Sequence, residues 1–461
     1  MSAGQHAVDP GCGSYQDFVS AYLGHKQDVT RRLADFIAAE PENPRGPAAR
    51  AILLATLARS ELAAPSRASA AESARLLAEG TFSPADRAFV EAASHASAGL
   101  WRKAIAALDL ATRLDPSDTL SIKMSHALRF MLGDVKGMLG TIERSLARLP
   151  RDHGHRGFLL GCHAFALEEN GHYAEAERSG REAIQLRPDD AWGLHAIGHV
   201  YEMTGRVDDG IRLIESHEMT IRGANNFGGH LFWHLALFRL EQGDVAEALA
   251  LYDHEIRREQ TDDFRDIANA ASLLMRIELL GHPVGDRWEE LADKAEHRIN
   301  DRSLLFADLH YILALMGAGR LTKAQKLAKS MQVLAPRSFA QEPAWQKAGM
   351  AIGAGLSAFV EGDMRKAYSC LADLKSPAQL IGGSHAQRDI LEQITIEAGL
   401  PAGAESEISA RLSRRLAMRG GSNRYAETRL AKLATKARPL RGLARILAAL
   451  AGGHDPIGHH A

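Results

Sequence analysis

GLWRKAIAALDLATRLDP (residues 99–116) and GHYAEAERSGREAIQLRP (residues 171–188) are two copies of one pattern: a Gly, an aromatic residue two places on, two alanines, then Pro. This is the second half of a tetratricopeptide repeat. Numbering a 34-residue unit with this Gly at position 15 and Pro at 32 places Gly99, Ala104, Ala111 and Pro116 in one copy, with Ala92 at the small position 8. Gly133 and Pro150 open the next copy, and Gly171, Ala176, Ala183 and Pro188 follow after a four-residue insertion. Gly198, Tyr201 and Gly205 fit positions 8, 11 and 15 of a fourth, and Gly243, Ala248 and Tyr252 fit a fifth. Weaker copies surround Gly319 with Ala324 and Gly362 with Ala367. Small residues at positions 8 and 20 let the two helices of a hairpin approach, and each hairpin buries its remaining apolar face on its neighbour.

The register implies an all-α fold, a tetratricopeptide-repeat-like α-solenoid of stacked antiparallel helix hairpins in a right-handed superhelix. Strand signals agree by their scarcity, since Ala, Leu, Glu and Arg dominate and no alternating Val/Ile/Thr runs meet at Asn-Gly or Asp-Gly. Residues 1–80 read as N-terminal helices and a cap, with PENPRGP (41–47) as a helix-breaking loop. Residues 81–400 form the repeat array, 401–450 basic C-terminal helices, and 451–461 a disordered tail, all within one continuous solenoid.

The 461 residues are 46% hydrophobic and 24% charged, enough to bury a core. A net charge of -2 disfavours a nucleic acid partner. Between Ile408 and Ile446, however, Arg411, Arg414, Arg415, Arg419, Arg424, Arg429, Lys432, Lys436, Arg438, Arg441 and Arg445 face one acid, Glu427. Such a run reads first as a solvated outer face and second as a docking patch for an anionic partner. No apolar stretch reaches the roughly 18 residues of a membrane span, and the N-terminus has neither a basic start nor an apolar run, so a cytoplasmic protein without a membrane partner is expected. Cys12, Cys162 and Cys370 lack CxxC spacing and give neither a disulfide framework nor a thiolate metal site.

The chemistry-bearing residues are histidines. In WGLHAIGHVYEMTG (192–205), His195 and His199 are one helical turn apart with Glu202 beyond them, and GHLFWHLALF repeats the device with His230 and His234. At about 100° per residue, His195, His199 and Glu202 fall roughly 120–180° around the first helix, away from its packed face near 30°, and His230 and His234 fall near 200–240°. His310 takes a similar position in the copy around Gly319. That arc lines the concave groove, where first helices lie about 8–10 Å apart, so these side chains should converge on one polar pocket walled by Trp192 and Trp233. Ordinary solvated histidines are the plainer alternative. His126 and His163 fall on packed positions and read as satisfied core histidines. A divalent metal held by His195, His199, His230 and His234 stays open on ligand chemistry, although no known motif matches: HExxH fails at Ala196 and Leu231, and the order is HxxE where helical di-metal sites use ExxH. GxGxxG, GxxxxGK[ST] and GxSxG are absent.

Over residues 155–400 the chain resembles the tetratricopeptide repeat protein 38 family and its bacterial relatives, on WGLHAIGHVYEMTGRVDDGI, HLFWHLALFRLEQGDVAEALALYD, VGDRWEEL, LLFADLHYILA and IGGSHAQRDIL. The matching positions include His195, His199, Glu202, His230, Trp233, His234, Asp308, His310, Ser384, Gln387, Arg388 and Asp389. His385 stands where a different polar residue is expected and is left out of the site. The resemblance implies the fold and no established activity. It adds Arg388 as a fixed cation for a carboxylate or phosphate, with an Arg388–Asp389 pair pinning a helix start as the structural alternative. The expected ligand-binding set is His195, His199, Glu202, His230, Trp233, His234, His310 and Arg388.

Two readings of function follow. In the first, a noncatalytic repeat protein binds a small polar molecule or a peptide segment in its histidine-lined groove. In the second, an enzyme uses the histidines as general acid and base, or as metal ligands, on a small polar or anionic substrate. A homo-oligomer is compatible with both.

Overall fold

The structure, a computed structural model, describes residues 15–333, 348–372, 374 and 378–435, and these contain α-helices and no strand. The tail 451–461, Cys12, Lys436, Arg438, Arg441 and Arg445 lie outside the described residues. Four helices precede the repeats: α1 (Tyr15–Leu23), α2 (Val29–Ala39), α3 (Arg45–Thr56) and α4 (Ala63–Glu79). The PENPRGP loop ends earlier than its composition suggests. Arg45, Gly46 and Pro47 form the first turn of α3, where a proline without its N–H costs nothing.

Antiparallel hairpins then follow in order. They are α5 (Pro84–Ser97) with α6 (Trp101–Leu114), α7 (Thr119–Met131) with α8 (Val135–Arg148), and α9 (Arg156–Glu169) with α10 (Tyr173–Leu186). Next come α11 (Ala191–Met203) with α12 (Val207–Ser216), and, after the short α13 (Glu218–Arg222), α14 (Phe227–Gln242) with α15 (Val245–Leu251). The series continues through α16 (Phe264–Leu279) with α17 (Arg287–Arg298), α18 (Leu305–Gly317) with α19 (Leu321–Ser330), and α20 (Met350–Glu361) with α21 (Met364–Ala372). α22 (His385–Ala402), α23 (Glu405–Met418) and helical residues 424–435 finish the described chain.

The repeat residues do what their spacing implies. Gly99, Gly133, Gly171, Gly205, Gly243, Gly319 and Gly362 all have φ between 67° and 84°, the left-handed turn that ends each first helix. Ala92, Ala104, Ala111, Ala176, Ala183, Ala248, Ala324 and Ala367 are all fully buried where paired helices touch. One hairpin escapes the signature: α16–α17 turns at Gly281 (φ 95°), but the longer GHPVGD connection shifts α17 out of the 34-residue register.

First helices α9, α11, α14, α16 and α18 stack in sequence, so their inner faces would form an open groove. Described segments near either end of the chain cover it. α1 packs on α7, Lys26 pairs with Ala224 as an isolated antiparallel bridge, and Gln27 Nε2 donates to the Arg222 carbonyl at 2.7 Å. From the other end α22 lies across α11 and α16, Arg276 Nη2 donates to the Ala386 carbonyl at 2.7 Å, and Asn423 Nδ2 donates to Glu241 at 2.6 Å.

The basic C-terminal run is therefore divided over its described part: Arg414, Arg424 and Lys432 are exposed, as a solvated face implies, while the others are paired with acids. Arg415 grips Asp389 with both terminal nitrogens, Arg419 stands 3.4 Å from the same carboxylate, Arg429 Nε bonds Glu397 at 2.6 Å and Arg411 bonds Glu392. These arginines tie the C-terminal helices to α22.

Candidate metal centre

α11 and α14 meet side by side and carry two histidines each on the faces turned toward one another. Among the described residues, one ring nitrogen from each of His195, His199, His230 and His234 lies within 4.8 Å of the other three. The rings are sealed rather than groove-exposed: His199 and His234 are 0% accessible, His195 2% and His230 8%. Phe165 stacks on His195 at 5.2 Å and Trp233 on His230 at 5.2 Å, while Trp192 tilts against His195 at 5.0 Å. His25, which takes φ 53° in the turn after α1, stacks on Trp192 and on Phe227 and closes the wall.

The outer nitrogens fix the tautomers. Glu202 Oε2 lies 3.0 Å from His234 Nδ1, and a carboxylate only accepts, so His234 carries its proton on Nδ1 and aims a bare Nε2 inward. Asn269 Oδ1, 2.9 Å from His230 Nδ1, does the same for that ring. Glu168 Oε2 faces His199 Nδ1 at 3.8 Å. Inside, His195 Nε2 stands 3.0 Å from His230 Nε2 and 2.9 Å from His199 Nε2. A neutral imidazole has one N–H and one lone pair, so His195 can satisfy only one of these neighbours with its proton. Burial, and then the neighbouring histidines, hold His195 and His199 well below the ordinary histidine value, and burial takes His230 down to about 3, so these three rings are neutral. Four inward nitrogens thus share too few protons.

Those are the properties of a ligand set for a cation. Four nitrogens at 2.0–2.1 Å from one tetrahedral ion stand about 3.3 Å apart, and the observed separations of 2.9–3.0 Å, with all four within 4.8 Å, bracket that value. Metal-bound histidines donate their other N–H to a carboxylate or carbonyl, the part that Glu202 and Asn269 fill for His234 and His230, while Glu168 stands 3.8 Å from His199 Nδ1.

Not every expected site residue joins the cluster. His310 is buried, but its Nδ1 bonds the Phe306 carbonyl at 2.7 Å and its ring packs on Phe306, so it stands outside the four-histidine group. Arg388 does not present a free cation, because its guanidinium donates to Glu169 Oε2 at 2.9 Å and to the Gly383 carbonyl. Nor does it pair with Asp389, which belongs to Arg415. Ser384 and Gln387 form a capping box that starts α22, with the Gln387 side chain accepting from Ser384 N–H at 3.0 Å. His126 is buried as its position implies, yet neither of its nitrogens has a hydrogen-bond partner among the described residues. His163 does have one, Ser179 Oγ at 3.0 Å.

The expected set omits Asn269, His25, Glu168, Glu169 and His385. Glu168 carried a legible signal: it lies one 34-residue period before Glu202, at the same repeat position. Asn269 and His25 had none, since one sits on the hairpin without the signature and the other on a turn whose destination only packing decides.

Beyond Glu202 a cavity of about 50 Å³ opens between α11, α16 and α22–α23, lined by Glu202, Arg276, Asp389, Gln393, Arg415 and Arg419 among others. Among the described residues no helix is long and apolar enough to cross a membrane.

No protein-family model matches the chain. A solved structure described as Naa15/Naa10 bound to HypK-THB is similar to it at 11% identity and a TM-score of 0.24, over 91% of this chain. The chain spans 65% of the length of the one it matches there, just under two thirds.

Proposed function

We propose that this helical-repeat protein holds a divalent first-row transition ion, with zinc as the reference case, in the centre made by His195, His199, His230 and His234. The observation that carries this reading is the convergence of four sealed imidazoles on one point with a surplus of inward lone pairs, two of them fixed by hydrogen bonds from the outer nitrogens of His234 to Glu202 and of His230 to Asn269. Imidazole suits zinc, copper, iron and nickel, so the donor set selects this class over magnesium or calcium. A small polar molecule or peptide segment, the wider reading of the groove, would have to part rings that already touch. Membership of the tetratricopeptide repeat protein 38 family is part of the same proposal and rests on the shared segments around these histidines.

A metal-assisted enzyme is the second reading, favoured by one observation. Glu202, the partner of His234, also lines the cavity that holds the buried guanidiniums of Arg276 and Arg419, groups that would attract an anionic substrate.

Metal analysis of protein purified without a histidine tag, and its melting temperature with and without added zinc, test the main reading. Wild type should retain about one ion at this centre and melt higher with zinc. His234→Gln should lose that ion and its share of the zinc-dependent rise while keeping its helical circular dichroism. No metal above background and no zinc-dependent rise in wild type would remove the proposal.

A further inference from the structure

A second cluster of ligand type adjoins the first on the side of α22. Glu168 and Glu169 end α9, His385 begins α22, and one ligand atom from each lies within 4.8 Å of the others. Glu169 is partnered: Oε1 accepts the His385 backbone N–H at 2.7 Å and Oε2 accepts from Arg388 at 2.9 Å. Although burial alone would raise Glu169, that guanidinium outweighs it and holds the carboxyl below its ordinary value.

Glu168 is different. It is 0% accessible, and neither carboxylate oxygen has a hydrogen-bond partner among the described residues. Oε1 stands 3.5 Å from His385 Nδ1 and Oε2 stands 3.8 Å from His199 Nδ1, and both of those nitrogens are bare as well. His385 Nδ1 is also 3.6 Å from Glu169 Oε1. A buried carboxylate without a hydrogen-bond donor is costly, and the nearby His385 and Arg388 offset that cost only in part. A simple His385–Glu168 charge pair would draw the two atoms to hydrogen-bond distance. Ligands of a single ion at 2.0–2.2 Å are instead held roughly 3–4 Å apart, the spacing seen here.

We propose that Glu168, Glu169 and His385 form a second cation site, for a divalent metal that accepts mixed carboxylate and imidazole ligands, such as zinc, manganese or iron(II). Glu168 then has two tasks. It ligates the second ion, and through Oε2 it orients His199, a ligand of the first. The assignment extends the reading above from one ion to two, but the two ligand sets share no residue, so each can fail alone.

The test uses the full chain, stripped with chelator, dialysed against zinc and analysed for bound metal per protein. Far-ultraviolet circular dichroism accompanies each sample. Wild type should bind two equivalents. His385→Ala should bind one, Glu168→Gln should lose the second ion and hold the first more weakly, and His234→Gln should also bind one, a different one, so that the double variant His385→Ala/His234→Gln binds none. The His385 side chain is about a quarter exposed, which keeps a folded variant available if Glu168→Gln does not fold. One equivalent in wild type, unchanged in His385→Ala and lost in His234→Gln, overturns the second site and leaves the four-histidine centre standing. One equivalent lost in His385→Ala and kept in His234→Gln does the reverse. No binding in wild type, or two equivalents retained by every variant, overturns both.

Discussion

At the scale of single residues, burial rather than hydrogen bonding sets the acid response of this protein. His126 is buried and His25 partly so, and desolvation, followed by the nearby Lys123, keeps both well below the ordinary histidine value, while burial takes His310 down to about 4. In the unfolded chain each of these titrates near 6.5. Below that pH the unfolded state binds protons the folded state refuses, so stability falls as pH falls, by up to about 1.4 kcal/mol per pH unit for each such histidine, until its folded value is reached. His126 gives the cleanest check, because its ring touches Phe165 and Trp192 and neither nitrogen is hydrogen-bonded. Urea unfolding of His126→Leu should show a gain over wild type that is larger at pH 5.5 than at pH 7. An equal gain at both pH values would mean that His126 does not titrate on unfolding as described.

At the scale of elements, the glycine ending each first helix has one backbone role but two kinds of surroundings. Gly171 (φ 82°) has nothing within 4 Å of where a Cβ would stand, so Gly171→Ala should cost only the left-handed conformation, roughly 1 kcal/mol. At Gly133 (φ 67°) the same Cβ would collide with the Gln379 carbonyl, backbone that cannot rotate aside. Gly133→Ala should therefore cost a further roughly 1–3 kcal/mol and loosen the segment leading into α22. Hydrogen exchange should report faster opening of α22 in Gly133→Ala than in Gly171→Ala, and equal protection in the two would contradict the close approach. The repeat signature reveals the turn at both positions. It is silent on their difference, because residue 379 reaches residue 133 only when the array curls.

For the molecule as a whole, closure concentrates on Asp389. This α22 carboxylate faces Arg415 and Arg419 from the C-terminal helices and Arg276 from α16, and those guanidiniums, working against burial, hold it far below the usual carboxylate range. Asp389→Asn keeps the shape but leaves three nearly buried guanidiniums without their common counter-charge. A loss of roughly 3–5 kcal/mol is expected. Denaturant unfolding provides the measurement, with Asp208→Asn on the exposed α12 as a control that should stay within about 0.5 kcal/mol. A loss no greater than the control's would show that the charge cluster does not hold the closed form together.

What the sequence determined by itself is what a local period can encode. Gly99, Gly133, Gly171 and the alanines that accompany them specify hairpins through backbone handedness and helix-to-helix distance, both short-range properties. The i,i+4 spacing of His195 with His199 and of His230 with His234 likewise put each pair on one helical face. Only the tertiary structure decided what those faces meet. A groove exposed in an open solenoid is a sealed centre here, because residues 25–27 and α22, far apart in the chain, fold inward from opposite ends. The same closure gave Arg388 to Glu169 and brought His385 to Glu168. No period in the sequence records contacts that are separated by some 200 residues. They exist because burying the groove's apolar walls, with its charges paired, is more favourable than leaving them in water.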